Sequence, residues 1–452
     1  MPHRSPRLLT VALAIAALVA VPTGAVAAER PVADNPPLTA AADGSVTARV
    51  LVQVAGGAFE PAEPGMATMR LYSAGFSNGL AIASFDSGVD GVITATVPPG
   101  DYIIEIASID PRTTPVHEWY NNQRYQRDSL TLTVGDGASI NLGNVALEAR
   151  SFDSVRVAGA NRFETAVGVS QRAFPTSAAA VVVVNGNSFA DALSAGPLAN
   201  DLFGTLLLVT STSIPEATRA EIDRLNPTSI YIVGGTGVVS SAVEEQLRPY
   251  AANPNFVYRI AGADRYATSR AVVDFIGPGI NNLMIATGRN YPDALSAVPV
   301  ANAFGVGALL LVDGARTSLD APTRALIEDR STADLWVVGG TAAVSAPLLA
   351  DIQSIAPVVR LSGADRYATS VAVAFRFFVQ ADEAYIANGS GFADALAAGP
   401  VAALAKAPVY LSRSTCIPTV VRDDIINVFA NRVVLVGGTG VLSSAVATLT
   451  EC

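Results

Sequence analysis

Hydrophobic positions along this chain follow two different rhythms. From about residue 150 onward, short continuous apolar runs alternate with segments whose apolar residues recur at helical spacing. The runs at 178–184, 205–209 and 230–233 are rich in Val, Leu and Ile and stop at Gly, Pro or a charge, as strands buried on both faces do. Segments 162–173, 191–202 and 215–225 read as helices, the last with Pro in its first turn. A short strand at 154–158 precedes them, and Ser241 with Glu244 reads as a capping-box pair opening a further helix. Strand–helix alternation with buried strands predicts an open parallel α/β sheet.

Residues 45–150 keep the other rhythm. β-favouring runs at 46–54, 69–73, 81–85, 92–97, 102–107, 130–134 and 140–147 are separated by turn signals such as Pro98-Pro99-Gly100 and Gly135-Asp136-Gly137. Short strands with this punctuation predict an all-β sandwich of antiparallel strands. Residues 28–44 are rich in Pro and Ala and read as a linker. Ahead of them, His3, Arg4 and Arg7 precede an apolar run at 8–21, helix-ending Pro22 and a small-x-small site at Ala25-Val26-Ala27. That is the pattern of a secretory signal peptide over 1–27. Later apolar runs are too short to span a bilayer, so no membrane span is expected in the mature chain.

The α/β part is an internal triplication at a spacing of about 102 residues. A first motif reads RVAGANRFETA from Arg156, RIAGADRYATS from Arg259 and RLSGADRYATS from Arg360. A second reads NGNSFADALSAGP from Asn185, TGRNYPDALSAVP from Thr287 and NGSGFADALAAGP from Asn388. A third reads IYIVGGTGVVSSAV from Ile230, LWVVGGTAAVSAPL from Leu335 and VVLVGGTGVLSSAV from Val433. The copies are read as 151–256, 257–357 and 358–452, each large enough for a core of its own.

This motif set resembles the cell-wall-binding repeat family (type 2) of Gram-positive bacteria, over about two thirds of the chain. The resemblance implies three tandem Rossmann-like parallel-sheet units about a pseudo-threefold axis. It also implies noncovalent attachment to the wall, through anionic polymers held near the seams between units. The earlier segment, with PPGDYIIEI from Pro98 and EWYNN from Glu118, resembles a carboxypeptidase-regulatory-like or transthyretin-like β-sandwich, which implies no activity.

Composition narrows the chemistry. A net charge of −10 argues against a nucleic-acid binder, which needs a basic field. The basic residues are 28 Arg and the single Lys406, and the only histidines are His3 and His117. No HExxH, Cys/His zinc cluster or CxxC pair is present, so no metal or cofactor is expected. A Ser-His-Asp or Cys-His unit in the mature chain could draw only on His117. With no lysine in the β-domain, a Lys–Asn isopeptide crosslink is chemically impossible there. Cys416 and Cys452 are the only cysteines, and export makes a disulfide between them the expected state. It is worth about 3–4 kcal/mol in the chain-entropy model. No LPxTG-type signal or hydrophobic tail precedes Glu451-Cys452, so covalent sorting is not expected.

Ligands of a parallel α/β unit bind outside the carboxyl ends of its strands. Arg162, Arg265 and Arg366 follow the first strand of each copy, where a guanidinium can grip phosphate or carboxylate. The structural alternative is that Asp264 or Asp365 caps the helix and pairs with the neighbouring Arg. Asn161 breaks that pattern, since Asn can cap but cannot neutralise, and leaves Arg162 the freest of the three. Asp191, Asp293 and Asp394 open the second helix, either as ligand-site acids or as acids favoured by the helix dipole. Phe189, Tyr291 and Phe392 before them read as sugar platforms or as hydrophobic staples. Gly234-Gly235, Gly339-Gly340 and Gly437-Gly438 read as phosphate cradles or as structural turns. Their string is not GxGxxG, and Ala342 breaks it in the second copy.

The expected function is a secreted, wall-attached surface protein without catalysis, whose β-sandwich is a spacer or display module. The alternative is a wall hydrolase of glycosidase or amidase type, or a modifier of one. Against it stand the missing His/Glu zinc set and the single recurrent acid where a glycosidase needs two. A nucleotide or cofactor enzyme is the third reading, and the imperfect Gly loops speak against it. Residues 151–452 hold 20 basic and 25 acidic residues, so attraction for an anionic polymer must come from local Arg clusters or bridging divalent cations. A polymer needs a longer groove than one unit offers, so the site is expected between copies.

Overall fold

The computed structural model describes residues 43–53, 58–73, 83–108, 116–119, 131–147, 152–277, 282–301, 304, 306–330 and 334–452. The signal-peptide segment, nearly all of the linker, and Tyr120 to Asn122 of the EWYNN motif lie outside the described residues.

The N-terminal unit contains β1 (Gly44–Gln53), β2 (Phe59–Pro61), β3 (Ala67–Ser73), β4 (Ala83–Asp86), β5 (Val92–Val97), β6 (Gly100–Ser108), β7 (Val116–Trp119), β8 (Leu132–Val134) and β9 (Ser139–Leu147). One sheet runs β2-β1-β5 with β9 also on β1, and the other runs β4-β3-β6-β7 with β8 on β6. Period-two alternation turns Val46, Ala48, Val50 and Ile93 of one sheet and Met69, Leu71, Ile104 and Ile106 of the other into a single core. One pairing departs from the antiparallel expectation: β1 and β9 run parallel, from Ser45↔Ser139 to Val52↔Leu147. A parallel pair needs a long crossover, and everything from β2 to β8 supplies it. Tyr72 and Ile103 of this unit pack on Phe429 of the third copy.

From residue 153 strand and helix alternate. The first copy holds β10 (Asp153–Val157), α1 (Arg162–Ala173), β11 (Ala180–Asn185), α2 (Ala190–Asp201), β12 (Thr205–Val209), α3 (Glu216–Leu225), β13 (Ser229–Val233) and α4 (Ser241–Leu247). The second holds β14 (Val257–Ile260), α5 (Arg265–Ile276), β15 (Asn282–Thr287), α6 (Pro292–Ala297), β16 (Ala308–Val312), α7 (Ala321–Asp329), β17 (Asp334–Val338) and α8 (Ala346–Gln353). The third holds β18 (Val358–Leu361), α9 (Arg366–Phe377), β19 (Glu383–Asn388), α10 (Ala393–Leu404), β20 (Val409–Ser412), α11 (Thr419–Asn427), β21 (Arg432–Val436) and α12 (Ser444–Ala447).

The sheets do not follow the copies. Their orders are β12-β11-β13-β14, β16-β15-β17-β18 and β10-β21-β19-β20, with every pair parallel. The first strand of each copy therefore completes the sheet of the copy before it. β10 closes the circuit on the third copy, with Val155 opposite Val434. Cores are shared in the same way. One apolar cluster reaches from Val157 through all three copies to Leu449, beside two smaller clusters centred on the first and second copies. Separate cores per copy, the expectation from copy length, are thus only part of the packing.

Helices α2, α6 and α10 meet at the centre, on Val298. A Cβ at Gly196 would lie 2.3 Å from Val298 Cγ1, and one at Gly399 2.4 Å from the same methyl. Around Val298 there is room for one valine among the three corresponding positions, which explains why the second motif ends AGP, AVP and AGP. Local signals hold with small shifts. Ser240, not Ser241, caps α4 by accepting from the Val243 N–H, and Pro215 stands at the cap of α3. Cys416 and Cys452 are joined, with Cα atoms 5.0 Å apart, and the Cys452 N–H donates to the Ile417 carbonyl at 3.1 Å. Among the described residues, no helix is long and apolar enough to cross a membrane.

Candidate functional site at the seams between copies

After its first strand each copy turns tightly at Gly159, Gly262 or Gly363, where a Cβ would collide with the helix that follows. That helix is then capped from its side chain. Asn161 Oδ1 accepts from the Phe163 and Glu164 N–H groups, Asp264 Oδ1 from Tyr266 and Ala267, and Asp365 Oδ1 from Tyr367 and Ala368. The capping half of the structural reading is therefore present. The Arg beside each cap reaches a backbone carbonyl. Arg162 Nη1 donates to Gly186 and Arg265 Nη1 to Gly288, both at 2.7 Å, and Arg366 Nη1 donates to Gly389. Arg162 is exposed, whereas Arg265 and Arg366 are half-buried.

Opposite each Arg lies the helix-opening acid of the preceding copy. Asp191 faces Arg265 and lies near Thr268, Asp293 faces Arg366 and lies near Thr369, and Asp394 faces Arg162. Burial raises all three carboxyls above their ordinary range and the facing guanidinium opposes it; Asp394 is pushed up to about 6. The three Arg and the three Asp singled out in the sequence thus meet, in pairs drawn from different copies.

The Gly pairs form the roof over these acids. Gly234, Gly339 and Gly437 take φ of +122°, +110° and +123°. A Cβ on them would lie 3.0, 2.6 and 2.7 Å from Oδ2 of Asp191, Asp293 and Asp394. Backbone conformation and space both require glycine there. The turns are locked by residues that the sequence reading passed over. Arg259 Nη1 donates to the Gly234 carbonyl at 2.7 Å, Arg360 to Gly339 at 2.5 Å, and Arg156 to Gly437 at 2.7 Å. Each clasps the copy before its own. The signal was visible, since an Arg opens every first motif, but only the strand exchange reveals its partner.

Phe189, Tyr291 and Phe392 meet one another, with ring centroids 5.6, 5.7 and 6.0 Å apart. The Arg162 guanidinium lies over Phe392 at 5.6 Å and that of Arg265 over Phe189 at 5.5 Å. Between the third and first copies the structure opens a cleft of about 630 Å³, bordered by Arg162, Asn161, Asp394, Ser390 and Tyr291. The backbone of His117 pairs with Ala107 in the N-terminal unit, away from these seams. Among the described residues, no group of three or more His, Cys, Asp or Glu is arranged to hold a metal ion.

The three first-to-third motif spans, residues 156–244, 259–348 and 360–447, match the family described as Cell wall binding domain 2 (CWB2). The chain belongs to this family. Among curated relatives, it is 30% identical over 292 residues to the N-acetylmuramoyl-L-alanine amidase LytC of Bacillus subtilis (strain 168), covering 65% of this chain and 57% of that protein. It is 28% identical over 294 residues to the Amidase enhancer of the same organism, covering 64% of this chain and 39% of the relative. The chain thus spans less than two thirds of either. Among solved structures, Cwp6 from Clostridium difficile has a similar fold, with a TM-score of 0.62 at 22% identity, covering 90% of this chain and 68% of that one. Cwp8 from the same organism gives 0.60 at 24% identity, covering 78% and 59%.

Proposed function

We propose that this is an exported surface protein held noncovalently at the cell wall by its three CWB2 copies, with the N-terminal unit a β-sandwich spacer or display module. The observation that carries this reading is the recurrence, in a chain of this family, of one guanidinium facing one buried acid under a glycine turn at each seam. Three helices meeting on Val298 and three rings meeting between Phe189, Tyr291 and Phe392 support a pseudo-threefold arrangement of Rossmann-like units. The signal-peptide pattern and the Cys416–Cys452 disulfide support an oxidising, extracellular location. The ligand is an anionic wall polymer. The repeats are acidic overall, so its attraction is local and short-ranged, centred on Arg162, Arg265 and Arg366.

Co-sedimentation with purified Gram-positive cell wall tests this, with zymography on the same fractions. Sedimentation without a clearing zone is the expected result. A clearing zone supports the hydrolase alternative, which the amidase among the relatives keeps in view. Changing Arg162, Arg265 and Arg366 together to Gln should abolish retention while circular dichroism stays native. Failure of the unaltered protein to sediment overturns the proposal.

A further inference from the structure

The three seams carry the same groups but not the same electrostatics. Resting on the wall-binding reading above, we propose that the cleft between the third and first copies is the principal seat of the polymer's anionic group, phosphate or carboxylate, and that the other two seams contribute less.

The difference begins at the helix cap. In the second and third copies the residue before the key Arg is an acid, Asp264 or Asp365; in the first it is Asn161. The first copy's acid stands three residues further on, at Glu164, where the others have Ala267 and Ala368. Its carboxylate turns back on the Ala160 N–H and the Asn161 amide, each at 2.9 Å, and stays off the cleft lining. The negative charge has been moved from the capping residue to Glu164, in the first turn of the helix.

At the seam between the first and second copies, Asp264 caps beside Arg265 and lies within electrostatic reach of Asp191, the acid that Arg265 faces. At the seam between the second and third copies, Asp365 caps beside Arg366. Ser390 and Gly391 stand where the second copy has Arg289 and Asn290, which leaves the rim of the third–first cleft small and uncharged. An anion entering that cleft meets an exposed guanidinium with Asp394 as the one facing acid, and the neutral side chain of Asn161. An anion entering either other seam meets a less exposed guanidinium with an additional acid close by, and like charges in a partly buried site repel strongly.

The decisive variant is Asn161→Asp with Glu164→Ala. It gives the first copy the second copy's cap, keeps a capping side chain, and leaves net charge unchanged. Its half-saturating wall concentration should rise about tenfold, the equivalent of one charge-assisted contact, at an unaltered melting temperature. R162Q should match it, whereas R265Q and R366Q should each cost about twofold. Wall treated with hydrofluoric acid, which removes phosphodiester-linked polymers, and wall with amidated carboxyls identify the anion. Loss of retention on the first assigns phosphate, and loss on the second assigns carboxylate. Equal losses from the three Arg variants, wild-type retention by the swapped cap, or full retention on both treated walls overturns the proposal. Each of these leaves wall binding itself intact. Absence of sedimentation by the unaltered protein is the separate failure of the underlying reading.

Discussion

Replacing Gly196 with Ala sets two physical effects against each other at one position. Alanine in a helix interior is favoured over glycine by about 1 kcal/mol, so propensity alone expects a more stable protein. Packing expects the opposite. The added Cβ falls 2.3 Å from Val298 Cγ1 and 3.5 Å from its Cβ and Cγ2, against an ordinary carbon–carbon contact of about 3.5–4.0 Å. Val298 is fully buried, its χ1 is stiff, and the same methyl rests on Gly399 from the other side. The clash can be relieved only by moving helices. Overpacking of this kind costs about 1–3 kcal/mol, and the upper part of that range applies when the neighbour has nowhere to go. The net expectation is a loss of about 1–2 kcal/mol, seen as a fall in melting temperature of about 2–5 °C for a region of this size. Because Pro197 follows, pre-proline strain could mimic the effect. The double variant G196A/V298A separates the two. It should recover most of the loss, with a coupling energy of about 1–2 kcal/mol, measured by denaturant unfolding of the full chain. A G196A protein that melts higher than wild type, or effects that simply add, would refute the packing of both glycines on the Val298 methyl.

Acid–base behaviour gives a second expectation. Asp424 is buried against the Tyr410 hydroxyl at 2.7 Å, and burial pushes it up to about 6. An acid raised above its unfolded value of about 3.9 stabilises fully below that value and loses its contribution as pH rises through about 6. Asp424→Asn should therefore remove up to about 3 kcal/mol of the stability lost between about pH 4 and 6, and an unchanged pH slope would exclude Asp424 as its source. Reduction of the Cys416–Cys452 disulfide, which spans 36 residues, should cost about 3–4 kcal/mol; equal denaturant midpoints with and without reductant would contradict this. The isolated segment 259–358 should fail to form a cooperative monomer, because its β14 pairs with β13 outside it and β18 is cut away. A sharp two-state melt of that fragment would show that strand exchange is dispensable.

Element identity was legible wherever sequence distance did not matter. The helix Arg162–Ala173 and the strand Thr205–Val209 are found at the bounds their patterns imply, because helical periodicity and doubly buried runs are local signals. The short strands Phe59–Pro61 and Val116–Trp119 were not legible, since three or four residues carrying Pro, His or Glu give no alternation to detect. The larger miss was membership. Nothing in the run at 154–158 tells which sheet it joins, because β10 would read the same beside β11 as it does beside β21. The same applies to the site. Arg265 and Asp191 were singled out separately, each with a structural reading inside its own copy, and their meeting across copies follows only from the strand exchange. The N-terminal parallel pair β1 and β9 escaped for the same reason.

That exchange also explains why the candidate site cannot belong to one copy. When a first strand completes the preceding sheet, the helix it feeds starts over the carboxyl edge of that sheet, not its own. Its N-terminal Arg is thereby delivered to the preceding copy's acid, while a carbonyl of its own copy, such as Gly288 for Arg265, holds the guanidinium from behind. The strand itself brings a second Arg to the glycine turn above that acid. Each seam is consequently assembled from three contributions, and the last seam exists only because β10 returns to β21 across the whole repeat region. The seam made by β10 on β21 is also the one whose capping residue is Asn161 in place of an acid. The first copy's helix begins there, so the substitution at Asn161 alters one cleft and leaves the other two unchanged.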